Sequence, residues 1–434
     1  MKVNTEIKRL GDSGIDSPFS SIKGSNSVKL VSDSSHVYYR MDSDMEKDGI
    51  PESFESAGPR EKIYFDPVNT RCGIATCGGL CPGLNDIIRG IVLELYHRYG
   101  VKKIFGFRHG LQGFIPEYGH DVIPLGLSSV ERIMDQGGSI LGSSRGSQDP
   151  DKIIDTLERF NIQILFMIGG DGTLKASHEL AKRILERELK ISVIGIPKTI
   201  DNDIVYTYRS FGFDTAVQEA ARAIKAAHNE AVAFPNGIGI VKLMGRYSGF
   251  IAATAALAQQ DANFVLIPEV PFRMEGDGGL LNAVEKRLEK RRHAVIVAAE
   301  GAGQEFFNDQ ILDRDISGNL KLNDIGIFLK HNIESYLTDK GIPYSMKYID
   351  PSYMIRSMPS NANDSVFCGF LARDAVHAGM AGKTDMLVGF VNNRFVHIPM
   401  ELCAGRRKQV DADAKLWQAV LEATGQGDLL YLCY

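Results

Sequence analysis

The chain has 434 residues, a formal net charge of −5 and hydrophobic residues at 44% of its positions. This length allows two domains with an extension, and the acidic balance argues against nucleic acid or an anionic membrane surface as a partner. Because six cysteines are too few for a disulfide scaffold, and no apolar run reaches the roughly 20 residues of a membrane span, we expect a cytoplasmic protein.

Residues 1–66 differ in composition from the rest of the chain, because they are rich in Ser and Asp and carry only scattered apolar residues. We predict a partly ordered N-terminal extension in this region. The alternative is an arm that packs on a neighbouring subunit or over an active site.

The first regular elements are a buried strand at residues 71–77 and a helix at 86–99, joined by the loop GGLCPGLN. A strand, a glycine loop and a helix in this order make a geometry that can cradle phosphate. A further strand and turn are predicted at 105–113, and the small-residue loop GGSILGSSRG follows at 137–146. Its Arg145 is either a bidentate phosphate clamp or an ordinary surface arginine.

Two strand-to-loop junctions then lie close together in the sequence. An apolar run at residues 162–168 ends in GGDGT, a helix is predicted at 177–189, and a second apolar run at 191–196 ends in PKTIDND. These lengths predict a right-handed βαβ unit, so that both loops leave the same edge of a parallel sheet. Open α/β folds bind their ligands at that edge.

The GGDGT loop has the chemistry of a phosphate site. Gly170 and Gly172 have no Cβ, so backbone N–H groups can approach phosphate oxygens closely. Thr173 can cap the following helix, whose N-terminus favours an anion. Asp171 is a hard oxygen ligand suited to Mg²⁺ that keeps its own waters and substrate phosphates. The PKTIDND loop adds a lysine and two carboxylates at the same edge.

The rest of the chain continues the alternation of buried strands and helices. Strands are predicted at 238–244, 264–267, 294–299 and 386–391, and helices at 215–232, 249–258, 279–292 and 364–381. This alternation predicts an α/β protein with two doubly wound domains that face each other, and an active site in the cleft between them. The only tryptophan, Trp417, is most simply a helix core residue.

The combination of GGDGT with PKTIDND resembles the phosphofructokinase family. The resemblance continues through TCGGLCPGLND, GSSRG, KLMGRYSGF, AEGAGQ and YIDPSYMIRS, and it covers about residues 73–400. It implies a kinase that transfers the γ-phosphoryl group of MgATP to the 1-hydroxyl of fructose 6-phosphate. It also implies an allosteric homo-oligomer, either a dimer or a tetramer. Residues 67–212 with 355–405 would form the domain for Mg²⁺ and the nucleotide phosphates, and 213–354 with 406–434 the sugar-phosphate domain.

The resemblance also implies a role for each motif residue. Asp201 is the general base for the sugar hydroxyl, and Lys198 and Arg145 neutralise charge on the transferred phosphoryl group. Asp171 holds Mg²⁺. The nucleotide phosphates are bound by Gly79, Arg145, Gly170, Asp171, Gly172 and Thr173. The sugar phosphate is bound by Thr199, Asp201, Asp203, Met244, Gly245, Arg246, Glu300, Lys347, Tyr353 and Arg356.

One departure from the shorter bacterial members concerns the segment before the MGR motif. In those enzymes an arginine there reaches the sugar phosphate of the adjacent subunit, whereas residues 235–239 of this chain read PNGIG and carry no cation. This departure argues against completion of a neighbour's sugar site from this strand. A histidine and an arginine of those enzymes are matched here by Tyr353 and Lys347.

Gly172 favours ATP as the phosphoryl donor. The pyrophosphate-dependent relatives carry an aspartate at this position, whose charge would repel the α-phosphate of a nucleotide. Lys198 indicates the opposite, since those relatives share the lysine, but a lysine can bind either donor. We therefore predict ATP, with a pyrophosphate-dependent phosphotransferase as the alternative.

Two further functions compete with this prediction. A GGDGT kinase acting on NAD or a lipid head group would not need the PKTIDND, MGR and YIDPSYMIR motifs. A non-catalytic subunit of a mixed oligomer should have lost its base, yet Asp201, Asp171 and Arg145 are all present.

Overall fold

The structure is a computed structural model that describes residues 3–21, 28–40, 51–307 and 321–428. The protein is mixed α/β, with helices placed between parallel strands, and it divides into two units. Unit 1 comprises Met1–Thr199, Ile204–Gly212 and Ser357–Arg407, and unit 2 comprises Ile200–Asp203, Phe213–Arg356 and Lys408–Tyr434.

Unit 1 is organised around one large sheet. Its strands are β3 (His36–Tyr38), β4 (Ser53–Ser56), β6 (Arg71–Thr76), β7 (Lys103–Phe107), β8 (Val122–Leu125), β9 (Ile164–Gly169), β10 (Ser192–Pro197), β16 (Met386–Val391) and β17 (Arg394–Pro399). These nine strands lie in the order β3-β4-β17-β16-β10-β9-β6-β7-β8. The central run from β16 to β7 is parallel, and the outer strands are antiparallel.

Smaller elements complete unit 1. Two short ladders pair β1 (Lys8–Arg9) with β15 (Lys383–Thr384) and β2 (Ile15–Asp16) with β5 (Lys62–Ile63). The helices are α1 (Leu84–Glu94), which continues as a wide turn over Leu95–Tyr99, α2 (Pro150–Arg159), α3 (Asp171–Glu186), α9 (Ala362–Met380) and α10 (Met400–Cys403). Short 3-10 turns lie at Pro18–Ser21, Gly110–Phe114, Pro116–Tyr118, Ser128–Val130 and Ile133–Asp135.

Unit 2 contains a four-stranded parallel sheet. Its strands are β11 (Gly237–Leu243), β12 (Phe264–Leu266), β13 (His293–Ala299) and β14 (Ser345–Ile349), in the order β12-β13-β11-β14. Its helices are α4 (Phe213–Ala233), α5 (Phe250–Gln259), α6 (Leu280–Arg291), α7 (Ile325–Asp339), α8 (Ser352–Ser357), whose last residue belongs to unit 1, and α11 (Lys415–Thr424), with 3-10 turns at Gln304–Phe307 and Gln426–Asp428.

The predicted βαβ unit is present as β9, α3 and β10. The two strands pair in parallel over their full lengths, and every residue of both is buried, as their apolar sequences require. Helix α3 begins at Asp171 and not at the predicted residue 177. The GGDGT motif therefore supplies the first helical turn, where an acidic residue is stabilised by the helix dipole. Trp417 is fully buried in α11, as predicted.

The described part of residues 1–66 is incorporated into unit 1. Strand β4 pairs with β17 and carries β3 on its other side, while β1 and β5 pair elsewhere in the same unit. Phe54 and Ile63 are fully buried. The described residues of this stretch therefore contribute strands to unit 1, with Phe54 and Ile63 in the core and Val28 and Tyr38 exposed. The partly ordered extension stays a prediction.

Candidate active site

The GGDGT motif forms a tight turn at the carboxyl end of β9. Gly170 precedes the first residue of α3 in an extended conformation, and its carbonyl accepts a hydrogen bond of 2.9 Å from the Thr173 N–H. A Cβ on Gly170 would lie 3.3 Å from the carbonyl oxygen of Lys198, whereas a Cβ on Gly172 would meet no atom within 4 Å. The first turn of α3 therefore has open space beside Gly172.

Asp171 is held by a segment that the sequence motifs did not include. The Gly405 N–H donates to Asp171 Oδ1 at 2.9 Å. The Arg407 Nη2 lies 3.7 Å from Asp171 Oδ2, and the side chains of this pair are 29% and 21% exposed. The carboxylate is thus oriented from within unit 1 but still accessible.

The Asp171 carboxylate is suited to bind a Mg²⁺ ion that arrives together with a phosphate-containing substrate. No group of three or more His, Cys, Asp or Glu side chains with the arrangement of a metal site occurs among the residues described. One accessible carboxylate at a helix N-terminus suits Mg²⁺, which keeps most of its coordination for phosphates and water. When bound, the ion would supply charge neutralisation for those phosphates.

The glycine loop after β6 is tied to the other phosphate loops. Lys198 is only 6% exposed, and its Nζ donates to the Gly79 carbonyl at 2.6 Å. The Gly78 N–H donates to the Ser144 carbonyl at 3.0 Å, and the Ser143 hydroxyl donates to the Gly78 carbonyl at 2.5 Å. Gly78 has a φ of 81°, which favours glycine.

These bonds bring together the loops that the sequence analysis singled out in unit 1. Arg145 directly follows Ser144 and is exposed to solvent. Thr199, the last residue of this stretch of unit 1, has its carbonyl bonded to the Ser210 hydroxyl at 2.7 Å. Lys198, Gly79 and the loop that carries Arg145 therefore lie at one edge of the sheet, as predicted.

The second half of the PKTIDND motif belongs to unit 2. The Ser248 hydroxyl donates to the Asp201 carbonyl at 3.2 Å, and the Lys408 N–H donates to the Asp203 carbonyl at 2.7 Å. Asn202, between the two carboxylates, has a φ of 54°. The backbone of this loop is therefore fixed by partners on both sides, with an asparagine at a position that tolerates the left-handed conformation.

Asp201 lies in a group of opposing charges. Burial, together with the negative charges of Asp203 and Glu300, raises the pKa of Asp201 to about 8, while Arg356 and Arg246 act to lower it. Burial likewise raises the pKa of Glu300 against the effect of Arg246. Such perturbed carboxyl groups beside cations are typical of catalytic sites.

The MGR and EG motifs meet at the carboxyl ends of the neighbouring strands β11 and β13. The Glu300 N–H donates to the Leu243 carbonyl at 2.8 Å, and the Gly301 N–H donates to the Gly245 carbonyl at 3.1 Å. A Cβ on Gly301 would lie 2.0 Å from the Arg246 carbonyl oxygen, so only glycine allows this close approach. The half-buried Met244 is the first residue after β11 and begins this turn.

The YIDPSYMIR segment is anchored to β11 through a lysine. Lys242 Nζ lies 2.9 Å from Asp350 Oδ2, and Asp350 Oδ1 accepts from the Ser352 N–H at the start of α8 at 3.1 Å. This ion pair fixes where α8 begins. Arg356, about one turn further on, then contributes to the charge around Asp201.

The structure does not bring every predicted sugar-site residue to this group. Lys347 pairs with Gly239 in the ladder, and its Nζ lies 5.6 Å from the ring centre of Phe234, which precedes β11. Its amine therefore faces the end of the sheet opposite Arg246. Tyr353 is 80% exposed on α8.

Comparison with known proteins places these motifs in a family. The family model described as Phosphofructokinase matches residues 71–379. The chain is 51% identical over 378 residues to the ATP-dependent 6-phosphofructokinase of Borreliella burgdorferi, covering 86% of this chain and 85% of the relative. It is 49% identical over 433 residues to the enzyme of the same name from Amycolatopsis methanolica, covering 97% and 94%. The chain belongs to the phosphofructokinase family.

The phosphofructokinase fold is also found in solved structures at low sequence identity. The pyrophosphate-dependent phosphofructokinase from Marinobacter aquaeolei aligns with a TM-score of 0.67 at 20% identity, covering 84% of this chain and 93% of that one. The predicted family and α/β fold are therefore confirmed. In the part of the chain that the structure describes, no helix combines the length and apolar character needed to cross a membrane.

Proposed function

We propose that this chain is an ATP-dependent 6-phosphofructokinase, which transfers the γ-phosphoryl group of MgATP to the 1-hydroxyl of fructose 6-phosphate. The observation that carries the proposal is the 49% identity to a relative of that name over 97% of the chain. The charged group around Asp201 and the glycine loops of unit 1 support it.

The residues of unit 1 bind the donor. The N-terminus of α3 and the glycine loop present backbone N–H groups to the nucleotide phosphates, and Asp171 holds Mg²⁺. Lys198 and Arg145 neutralise the transferred phosphoryl group, for which positioning and charge compensation are the main requirements. The donor-binding set is Gly79, Arg145, Gly170, Asp171, Gly172 and Thr173.

The acceptor is bound largely by unit 2. Asp201 accepts the proton of the sugar hydroxyl as the bond to phosphorus forms, and its raised pKa makes it a stronger base than an exposed aspartate. Arg246 and Arg356 bind the 6-phosphate, for which guanidinium groups are suited. The other members of the acceptor-binding set are Thr199, Asp203, Met244, Gly245 and Glu300. Lys347 and Tyr353 are left out of this set, because the Lys347 amine lies near Phe234 at the other end of the sheet and Tyr353 is 80% exposed.

A comparison of phosphoryl donors and acceptors tests the function. The purified chain is assayed with MgATP and with pyrophosphate on fructose 6-phosphate, and with MgATP on NAD and on diacylglycerol. We expect turnover of fructose 6-phosphate with MgATP. Faster turnover with pyrophosphate at saturation would instead establish the pyrophosphate-dependent alternative, and turnover of NAD or the lipid would overturn both. Homo-oligomerisation and a cytoplasmic location stay predictions.

A further inference from the structure

Arg407 is a cation at the predicted donor site that no motif identified. Its guanidinium faces Asp171, and both side chains remain partly exposed, at 29% for Arg407 and 21% for Asp171. Arg407 is the last residue of unit 1 and lies four residues after the end of α10 at Cys403. Its neighbour Arg406 contacts the Tyr206 hydroxyl at 3.1 Å and not Asp171.

The contact between Arg407 and Asp171 is loose. Its separation of 3.7 Å exceeds the 2.7–3.2 Å range of an N–H···O hydrogen bond, so charge attraction alone joins the two groups. Partly exposed pairs of this kind contribute little to stability. Asp171 does not depend on Arg407 for its orientation, since the Gly405 N–H holds its other oxygen at 2.9 Å.

A negatively charged Asp171 would repel the phosphates of an approaching donor, and Arg407 compensates that charge. A donor that carries its own divalent cation supplies a competing partner for the carboxylate. The guanidinium can then turn to phosphate oxygens, which it binds in a bidentate manner. The absence of a side chain at Gly172 leaves open space in the first turn of α3.

We propose that Arg407 is a donor-phosphate-binding residue, held beside Asp171 until the donor binds. The proposal rests on the assignment of the donor site in the proposed function. It adds a cation from the C-terminal part of the chain to those of the phosphate loops.

Arg407→Gln and Arg406→Gln form a matched pair for the test. Binding of MgATP, and of tripolyphosphate in the presence of Mg²⁺, is measured by calorimetry without sugar phosphate. We expect Arg407→Gln to weaken both by about ten-fold or more, the effect of one charge-assisted phosphate contact. The KM for ATP should rise similarly, with the KM for fructose 6-phosphate unchanged. Arg406→Gln should stay within about two-fold of wild type.

The Asp171→Asn background separates phosphate binding from simple support of Asp171. If Arg407 binds phosphate, Arg407→Gln still weakens tripolyphosphate binding in this background. If it acts only through Asp171, its effect disappears there, and the proposal is overturned. Arg407→Lys, which keeps the charge, should restore part of the affinity should Arg407→Gln fold poorly. A wild-type chain inactive on fructose 6-phosphate with ATP would refute the proposed function, while the tripolyphosphate result would still decide the role of Arg407.

Discussion

Two opposing effects act on the pKa of Asp201. Burial and its anionic neighbours Asp203 and Glu300 favour its protonated form, yet two arginines, Arg246 and Arg356, keep the ionised form accessible. A base whose pKa lies near the working pH accepts a proton more effectively than an ordinary aspartate. The two arginines that are proposed to bind the sugar phosphate therefore also tune the pKa of the proposed base.

Asp201→Asn should lower kcat by roughly two to four decades with little change in the KM for fructose 6-phosphate, because the base acts mainly in the transition state. Steady-state kinetics at saturating ATP measures both. A loss of less than about three-fold would remove Asp201 from the role of base.

The same variant offers a check on folding. The pKa of Asp201 rises from 3.8 to about 8 in the folded protein, so the protonated form is favoured by folding and ionisation opposes it. Stability from this group is lost as the pH rises through that interval. Asp201→Asn should therefore unfold at a higher temperature than wild type above about pH 8, which calorimetry can measure.

Glu300→Gln should shift the pH dependence of kcat/KM for fructose 6-phosphate. Activity rises with pH as Asp201 loses its proton, and removal of the negative charge of Glu300 lowers the pKa of Asp201. The acid limb of the pH profile should therefore move to lower pH, whether or not the maximal kcat/KM changes. Glu285→Gln, whose carboxylate pairs with Lys340, is the matched control and should leave the limb in place. A limb that moves upward contradicts the assignment.

Local motifs predicted most residues of the candidate site, but not their long-range partners. GGDGT indicates phosphate chemistry from the residue types alone, whereas the contacts of Asp171 come from Gly405 and Arg407, far along the chain. Lys347 shows the opposite case. Its motif position resembles a sugar-site cation, but its register opposite Gly239 turns the amine toward Phe234. Neither the partners of Asp171 nor the direction of the Lys347 amine can be derived without the tertiary structure.

At the scale of elements, continuous apolar runs predicted the buried parallel strands well. β9 and β10 are buried along their whole length. Because both of their faces are buried, their sequences are apolar throughout, which is the pattern that predicts such a strand. Several strands were not predicted, among them the interior strand β17 and the strands β3 and β14. The last two have a physical reason for the miss. Both are partly exposed edge strands, and β3 has only three residues, too few for a periodicity to emerge.

The N-terminal strands are attached through a buried charge cluster. Glu55 Oε1 lies 2.6 Å from both Arg60 Nη2 and Lys383 Nζ and 2.9 Å from His397 Nδ1. Burial acts to raise the pKa of Glu55, but the bonds and charges of His397 and Lys383 outweigh it, so the pKa is lowered. Lys383 of β15 and His397 of β17 thus share one carboxylate of β4 with Arg60, which lies in the same N-terminal stretch.

Glu55→Gln should destabilise unit 1 by about 1.5–3 kcal/mol, because Arg60 and Lys383 lose their buried counter-charge and keep only the partly exposed Asp33 as an anionic partner. Urea unfolding measures the loss, which should shrink as the pH falls below 4.5, where the carboxylate is protonated in the unfolded chain. Asp16→Asn breaks the exposed pair with Lys62 and should change stability little. Equal effects of the two substitutions would show that the buried cluster does not anchor these strands.

At the scale of the whole molecule, the fold does not select the phosphoryl donor. The same fold occurs in an enzyme whose name specifies pyrophosphate, while relatives of much higher identity are named for ATP. Donor choice must therefore depend on side chains at the phosphate loops. Gly172 is the position where the two donor classes are expected to differ.

Gly172→Asp should lower kcat/KM for ATP by at least a decade. The added carboxylate would lie next to Asp171 in the open space of the first turn of α3, and it would face the nucleotide phosphates if the donor binds there as proposed. Like charges a few ångströms apart cost on the order of 1–4 kcal/mol in a partly dry site. An aspartate in the first turn is also favourable for the helix, so folding should not suffer.

Gly172→Asn is the control, because it adds nearly the same volume without charge. Kinetics with ATP and with pyrophosphate should show a larger loss of ATP use for Asp than for Asn, with use of pyrophosphate affected less than use of ATP. If Asn and Asp reduce ATP use equally, volume and not charge excludes the nucleotide. If neither reduces it, Gly172 does not select the donor, and the preference for ATP must arise elsewhere in the phosphate loops.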